Sequence, residues 1–260
     1  MFFSSRIMVA GSGGEGGPSL DDFLCGNVTQ VTIPDRMTSL RNNLFYGCTS
    51  IQKVILNGKV TSLGESCFSG CSSLKTIENM GSIRQFGYSA LRGTAFREFE
   101  IPEGTDSIGS YLFGYCSELT RVVIPSTVTY IPTDLFEGCP KLSEVVMRSG
   151  ITSIASYAFY GTGALQTLSL PDTLKSIGGY AFTSSGIAEL TIPASTDIIL
   201  YNAFSGASKL TRVTFENPNG WILASSSTAT SGDPIDLSDP QQNAVYLRDT
   251  YRSKYFRRIA

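Results

Sequence analysis

Apolar residues in this chain recur at one long, fixed interval. With a single phenylalanine as marker, Phe45 is followed by Phe68, Leu91, Phe113, Phe136, Phe159, Phe182 and Phe204, in steps of 22 or 23 residues. Phe23, 22 residues before Phe45, reads as a degenerate first copy. Five residues before each marker stands another apolar residue: Leu40, Leu63, Phe86, Ile108, Ile131, Ile154, Ile177 and Ile199. After the marker comes a segment of the form L-x-x-V-x-I, as in Leu119, Val122 and Ile124, or Leu165, Leu168 and Leu170. Alternation of this kind predicts a short strand. Proline, which cannot donate to a ladder, often ends it, at Pro34, Pro102, Pro125, Pro171 and Pro193.

One repeat of this length cannot bury its own apolar face, so neighbours must stack into a continuous core. The pattern therefore predicts a solenoid of the α/β repeat type. Its parallel β-sheet lies on the concave face and its short irregular or helical segments on the convex face. A C-terminal cap contains a helix. In-register strands about 4.8 Å apart make eight copies a rod on the order of 40 Å long. The chain divides into a Gly-rich N-terminal tether (1–19), the solenoid with its N-terminal cap (20–216) and a C-terminal capping segment (217–260).

The copies "IASYAFYGTGALQTLSLP" (Ile154 to Pro171) and "IGGYAFTSSGIAELTIP" (Ile177 to Pro193) resemble the BspA-like branch of leucine-rich repeats. That pattern runs roughly I-G-x-x-A-F-x-G-C-x-x-L-x-x-V-x-I-P, and the resemblance covers about Leu20 to Glu216. It implies a surface-exposed binding or adhesion module, and leaves the ligand open.

Composition narrows the function classes. The 260 residues are 42% apolar and 16% charged, with a net charge of −2. Such a balance gives no general attraction to nucleic acid or acidic membranes. The chain has no histidine, which removes Ser-His-Asp and Cys-His catalysis and every imidazole metal site. An enzyme would need a carboxylate pair, and Glu78 with Glu100 on neighbouring repeats is the nominee. No apolar run reaches the roughly 18 to 20 residues of a membrane span. The N-terminus lacks the continuous apolar stretch of a signal peptide.

Cysteine recurs three residues after the marker, at Cys48, Cys71, Cys116 and Cys139. Thr94, Thr162, Ser185 and Ala207 fill the same column elsewhere. A ligand or disulfide partner would not alternate with alanine, so the column reads as a ladder of small buried thiols. The rival is a bond between adjacent repeats, Cys48–Cys71 or Cys116–Cys139, within the permitted Cα range but unfavourable in side-chain direction. Cys67 belongs to the small-residue column before the marker, and Cys25 to the N-terminal cap.

Two motifs read as decoys. "GSGGEG" (Gly11 to Gly16) has dinucleotide-site spacing but is followed by Gly17 and Pro18 rather than a helix. The basic, tyrosine-rich C-terminus places Leu247, Tyr251 and Tyr255 on one helical face. It reads as a capping helix begun by Asp239 and Pro240, with its basic end complementing the helix dipole. Trp221 would pack on the last repeat.

Two surfaces remain as candidate binding sites. On the strands, a polar strip carries Lys53, Glu98, Arg121 and Glu144, and beside them Ile55, Glu100, Val123 and Val146. Its apolar centre is expected to be exposed, although its charges also suit cross-strand pairing. The alternative is a tyrosine column two residues before the marker: Tyr111, Tyr157 and Tyr180, with Tyr88 and Tyr201 one place earlier. The expectation is a non-enzymatic binding or adhesion module without cofactor or metal. It would be extracellular, cell-surface or virion-associated, and its partner a protein or carbohydrate. The alternative is a structural or receptor-binding subunit of a larger assembly such as a phage tail, its partners being neighbouring subunits.

Overall fold

The computed structural model describes residues 6–8 as backbone, and residues 28–148 and 150–259 in full. Two parallel ladders run along the molecule. The broad ladder pairs Gln30–Thr32, Lys53–Ile55 and Thr76–Glu78, then Glu98–Glu100, Arg121–Ile124 and Glu144–Met147, then Glu189–Ile192 and Arg212–Phe215. Its register aligns Glu98 with Arg121 and Arg121 with Glu144, as the repeat frame requires. The narrow ladder is built on the apolar residues five before each marker. It pairs Ser39–Leu40 through Ser107–Ile108, and then Tyr130–Ile131 through Ile198–Ile199.

The segment around each marker is tied to its neighbour by a third set of hydrogen bonds. The amides of the marker and of the residues two before and two after it donate to the next repeat. In the first such turn Asn43 reaches the Glu65 carbonyl, Phe45 that of Cys67 and Gly47 that of Ser69, each at 2.8 Å. Turning alternate amides outward drives the two flanking positions into the left-handed region. Before the marker these are Asn43, Ser66, Ser89, Tyr111, Asp134, Tyr157, Tyr180 and Asn202, with φ between 51° and 60°. After it they are Gly47, Gly70, Gly93, Tyr115, Gly138, Gly161, Ser184 and Gly206.

Every marker side chain from Phe45 to Phe204 is fully buried. The rings stack along the axis, with Phe45–Phe68, Phe159–Phe182 and Phe182–Phe204 each 5.1 Å apart and interplanar angles of 4°, 7° and 14°. Leu91 is the exception, and a second substitution offsets it. Phe99 occupies the strand position held by Val54, Ile77 and Val122 in other repeats. Its ring stands edge-on to Phe113 at 5.0 Å. Volume lost in one column is returned in another, the kind of exchange cores tolerate best. The broad ladder is interrupted here, between Thr76–Glu78 and Glu98–Glu100, after Asn79 turns left-handed and a 3-10 turn (Met80–Ser82) intervenes. A second interruption falls at the Leu165–Leu170 repeat.

Cys67, Cys71, Cys116 and Cys139 are free and buried. The thiols of Cys71 and Cys139 point along the stack to the carbonyls of Phe45 and Phe113, both at 3.0 Å, and that of Cys116 to the Leu91 carbonyl at 3.3 Å. Thr94 and Thr162 bond the marker carbonyl of their own repeat instead. In five of the eight repeats the column thus adds a hydrogen bond to small size, while Ala207 fills it by size alone. The Cys48–Cys71 and Cys116–Cys139 bonds do not form: Cys71, Cys116 and Cys139 are free, and their sulfurs are directed at backbone carbonyls. Cys48 corrects the free-thiol reading: it is disulfide-bonded. The repeat preceding it, with Phe23 and Cys25, lies outside the described residues.

The ends differ from expectation in two respects. Arg6–Met8, assigned to the leader on sequence, runs as a parallel strand beside Gln30–Thr32. The GSGGEG stretch lies outside the described residues. At the C-terminus the helix Pro240–Val245 begins as expected, the Asp239 carboxylate accepting from the Gln241 and Gln242 amides at 2.9 and 3.1 Å. A wider turn follows at Tyr246–Thr250. Tyr255 is not on that helix. Tyr255–Arg258 forms an antiparallel strand between Ile198–Ile199 and Trp221–Ala224, satisfying the open edge of the narrow ladder. Arg257 and Arg258 therefore sit on a strand, not at a helix end. Arg258 pairs with Asp197 at 2.6 Å, and Arg248 donates to the Leu210 carbonyl at 2.8 Å. Trp221 is buried edge-on against Phe215 at 5.1 Å, its indole donating to the Asn217 carbonyl.

Candidate functional site

On the broad-ladder strip, neighbours account for much of the charge. Lys53 meets Glu78 at 2.6 Å and Arg121 meets Glu144 at 3.2 Å. Arg148 bonds both Glu100, at 2.9 Å, and Glu103. This bridge joins the repeats on either side of the one carrying Val123. Val123 is only 3% exposed, so the expected apolar centre is not open there. Its in-register neighbours are Glu100 and Val146, and the Arg148–Glu100 ion pair spans the strand that carries it. Ile55 and Val146 are half-buried. Glu78 and Glu100 do not form a carboxylate pair. The ladder is interrupted between them, and each bonds a cation instead.

The tyrosine column is physically more unusual. A bulky side chain in the left-handed region is an outlier, costing about 1–2 kcal/mol. Asparagine, serine or aspartate fills five of the eight positions before the marker, and these adopt that region more readily. Tyr111, Tyr157 and Tyr180 fill the other three. In the second column, where glycine is the rule, one repeat carries Tyr115. Strain of this kind persists where surrounding structure over-determines it, and it concentrates at functional sites.

These rings form two groups separated by Asp134. On one side Tyr88 and Tyr111 meet edge-on at 5.7 Å, and the Arg92 guanidinium lies 4.8 Å from the Tyr115 ring centre. On the other, Tyr157 and Tyr180 stack at 4.8 Å with an interplanar angle of 3°, and Tyr201 stands edge-on to Tyr180 at 5.5 Å. Between them Asp134, 8% exposed, occupies the column position that tyrosine holds in the flanking repeats. The Tyr115 hydroxyl donates to Glu137 at 2.7 Å. That hydrogen bond raises the phenol's pKa. The Tyr111 hydroxyl is raised chiefly by burial and then by its hydrogen bond to Glu137. Burial, followed by a hydrogen bond to Glu137, pushes the Asp134 carboxyl up to about 6. The result is a cleft of about 570 Å³ lined by Tyr111, Asp134, Glu137, Tyr157 and Tyr160 with two hydroxyl residues.

The structure brings Tyr157 and Tyr180 into direct contact and sets Tyr111 one repeat beyond Asp134. Sequence reasoning missed Asp134, Glu137, Tyr115 and Tyr160. Tyr115 had a readable signal, a tyrosine at a position otherwise given to glycine or serine. Among the described residues no His, Cys, Asp or Glu cluster is placed to hold a metal. No helix among them is long and apolar enough to cross a membrane.

The fold has solved counterparts. A leucine-rich repeat protein from Bacteroides ovatus superposes with a TM-score of 0.67 at 25% identity over 74% of this chain and 56% of its own. One from Eubacterium ventriosum gives 0.54 at 22% identity over 72% of this chain and 60% of its own. The chain therefore spans less than two thirds of either. No curated protein is significantly similar to it. The family model described as "BspA type Leucine rich repeat region" matches six copies, over residues 23–120 and 130–226. With three quarters of its length matched in that way, the chain belongs to the BspA-type leucine-rich repeat family.

Proposed function

We propose that the chain is a non-enzymatic binding module, and that its tyrosine face, not the charged strip, meets the partner. The observation that carries this reading is the repeat from Tyr111 to Tyr115, which places a tyrosine at both left-handed positions. Packing does not require either ring, since serine or glycine fills the same places in other repeats. Tyr115 is 46% exposed, and Tyr88 and Tyr201 beside the column are exposed as well. Exposed, rigid aromatic residues give large contact area at small ordering cost. The strip offers less, because Arg121, Lys53 and Arg148 already hold Glu144, Glu78 and Glu100.

The family favours a protein-binding or surface-displayed repeat, and the disulfide at Cys48 supports an oxidising, extracytoplasmic setting. The test is adhesion of purified protein to epithelial monolayers and extracellular matrix. The pair Tyr111→Asn and Tyr157→Asn should remove binding. The pair Arg121→Ala and Val146→Ser should leave it intact. The reverse result would return the site to the strip.

A further inference from the structure

We propose that the cleft between Tyr111 and Tyr157, floored by Asp134 and Glu137, binds a neutral carbohydrate. This deepens the tyrosine-face reading and rests on it. The cleft arises from one missing ring. Tyr111, Asp134 and Tyr157 occupy the same position in three successive repeats, so the two tyrosine backbones stand two strand spacings apart, about 10 Å. Its volume of about 570 Å³ falls within the range of roughly 300–1,000 Å³ usual for small-ligand sites.

The chemistry around the gap is that of a sugar site. Sugar rings carry flat faces of C–H groups, which pack on aromatic rings, and edges of hydroxyls, which need acceptors. Tyr111 and Tyr157 supply rings on either side. Asp134 and Glu137 supply acceptors, and the hydroxyl residues Thr133 and Ser156 complete the lining. No lysine or arginine lines the cleft, so a sulfate, phosphate or sialic acid carboxylate would find no cation and would face two carboxyls. An extended peptide would need a row of alternating backbone donors and acceptors, which side chains of this kind do not provide.

The walls are held before any ligand arrives. Tyr157 is stacked on Tyr180. The Tyr111 ring lies so close to Gly114 that a β-carbon there would sit 2.8 Å from it. A preformed site spends little of its interaction energy on ordering.

The test uses the whole chain on an array carrying neutral oligosaccharides together with sialylated and sulfated ones. Binding to neutral members, absent from anionic ones, is expected. Tyr157→Asn installs the residue already present at Asn43 and Asn202, so folding is preserved while the ring is lost. It should weaken that binding about tenfold or more. Should no neutral oligosaccharide bind, or Tyr157→Asn bind unchanged, the carbohydrate inference is overturned. A second arm separates this from the broader reading, by assaying wild type and variant on matrix protein stripped of glycans. Binding that survives deglycosylation and is lost in Tyr157→Asn rejects the carbohydrate and retains the tyrosine face. Binding unaffected by the variant in both arms rejects both.

Discussion

The Tyr115 ring lies directly against the backbone of Gly138 in the next repeat. A β-carbon on Gly138 would stand 2.7 Å from Cδ1 and 2.9 Å from Cε1 of that ring. Gly138 also has φ of +67°. Gly138→Ala should therefore combine the left-handed penalty of about 1–2 kcal/mol with displacement of Tyr115 and loss of its bond to Glu137. Gly163 has open space around it. Gly163→Ala should be neutral or slightly stabilising in urea melts, and equal effects at the two glycines would refute the contact argument.

Tyr115→Gly makes the opposite prediction. It returns the position to the residue found in six of the other seven repeats. Relief of about 1–2 kcal/mol should outweigh the loss of one exposed hydrogen bond and of the Arg92 contact with the exposed ring, and the melting temperature should rise. A fall would mean that the ring stabilises the fold and is not retained at the fold's expense.

The Leu91–Phe99 exchange predicts coupling. Leu91→Phe alone should overpack the core and cost about 1–3 kcal/mol. Phe99→Val alone should leave a cavity and cost at least as much. Together they restore the pattern of the other repeats, so the double variant should be more stable than the sum of the single effects requires. Additive costs would show that the two positions do not share volume.

The cysteines separate by reactivity. Burial raises the thiols of Cys67, Cys71, Cys116 and Cys139, that of Cys71 to about 12. All four should resist alkylation in native protein at pH 8 and react after denaturation without reductant. Cys48 should be alkylated only after reduction. A non-reducing peptide map that recovers Cys48 as a free thiol would contradict the disulfide.

Asp134 gives a pH dependence of defined sign. Its carboxyl rises from an ordinary 3.8 to about 6 through burial and then Glu137, with Tyr111 also bonding it. Between about pH 4 and 6 the folded chain holds a proton that the unfolded chain releases. The stabilisation is complete below about pH 4 and is lost as pH rises through 6. Asp134→Asn, which tolerates the same backbone, should match wild type near pH 4 and exceed it at pH 7. Parallel stability curves for the two proteins would show that Asp134 titrates normally.

The repeat period, the parallel ladders, their register and the Phe column follow from the sequence alone. Each rests on one-dimensional periodicity, and a solenoid folds that period into neighbours in space. Asp239 and Pro240 announced the helix start for the same local reason. What the chain order could not give were relationships set across repeats by backbone direction. The ion pair that spans the Val123 strand comes from an arginine two repeats beyond the glutamate it bonds. The thiols reach carbonyls of a preceding turn, a choice visible only once the turns are stacked. Tyr255 moved from helix to strand because an open ladder edge lay beside it, and pairing that edge outweighs a short run of helical spacing. The candidate cleft is the clearest case. Tyrosines 111 and 157 are readable as a column, but the gap between them exists because Asp134 is small. Asp134 becomes a partner of Glu137 only where the left-handed turns bring both carboxyls to one wall.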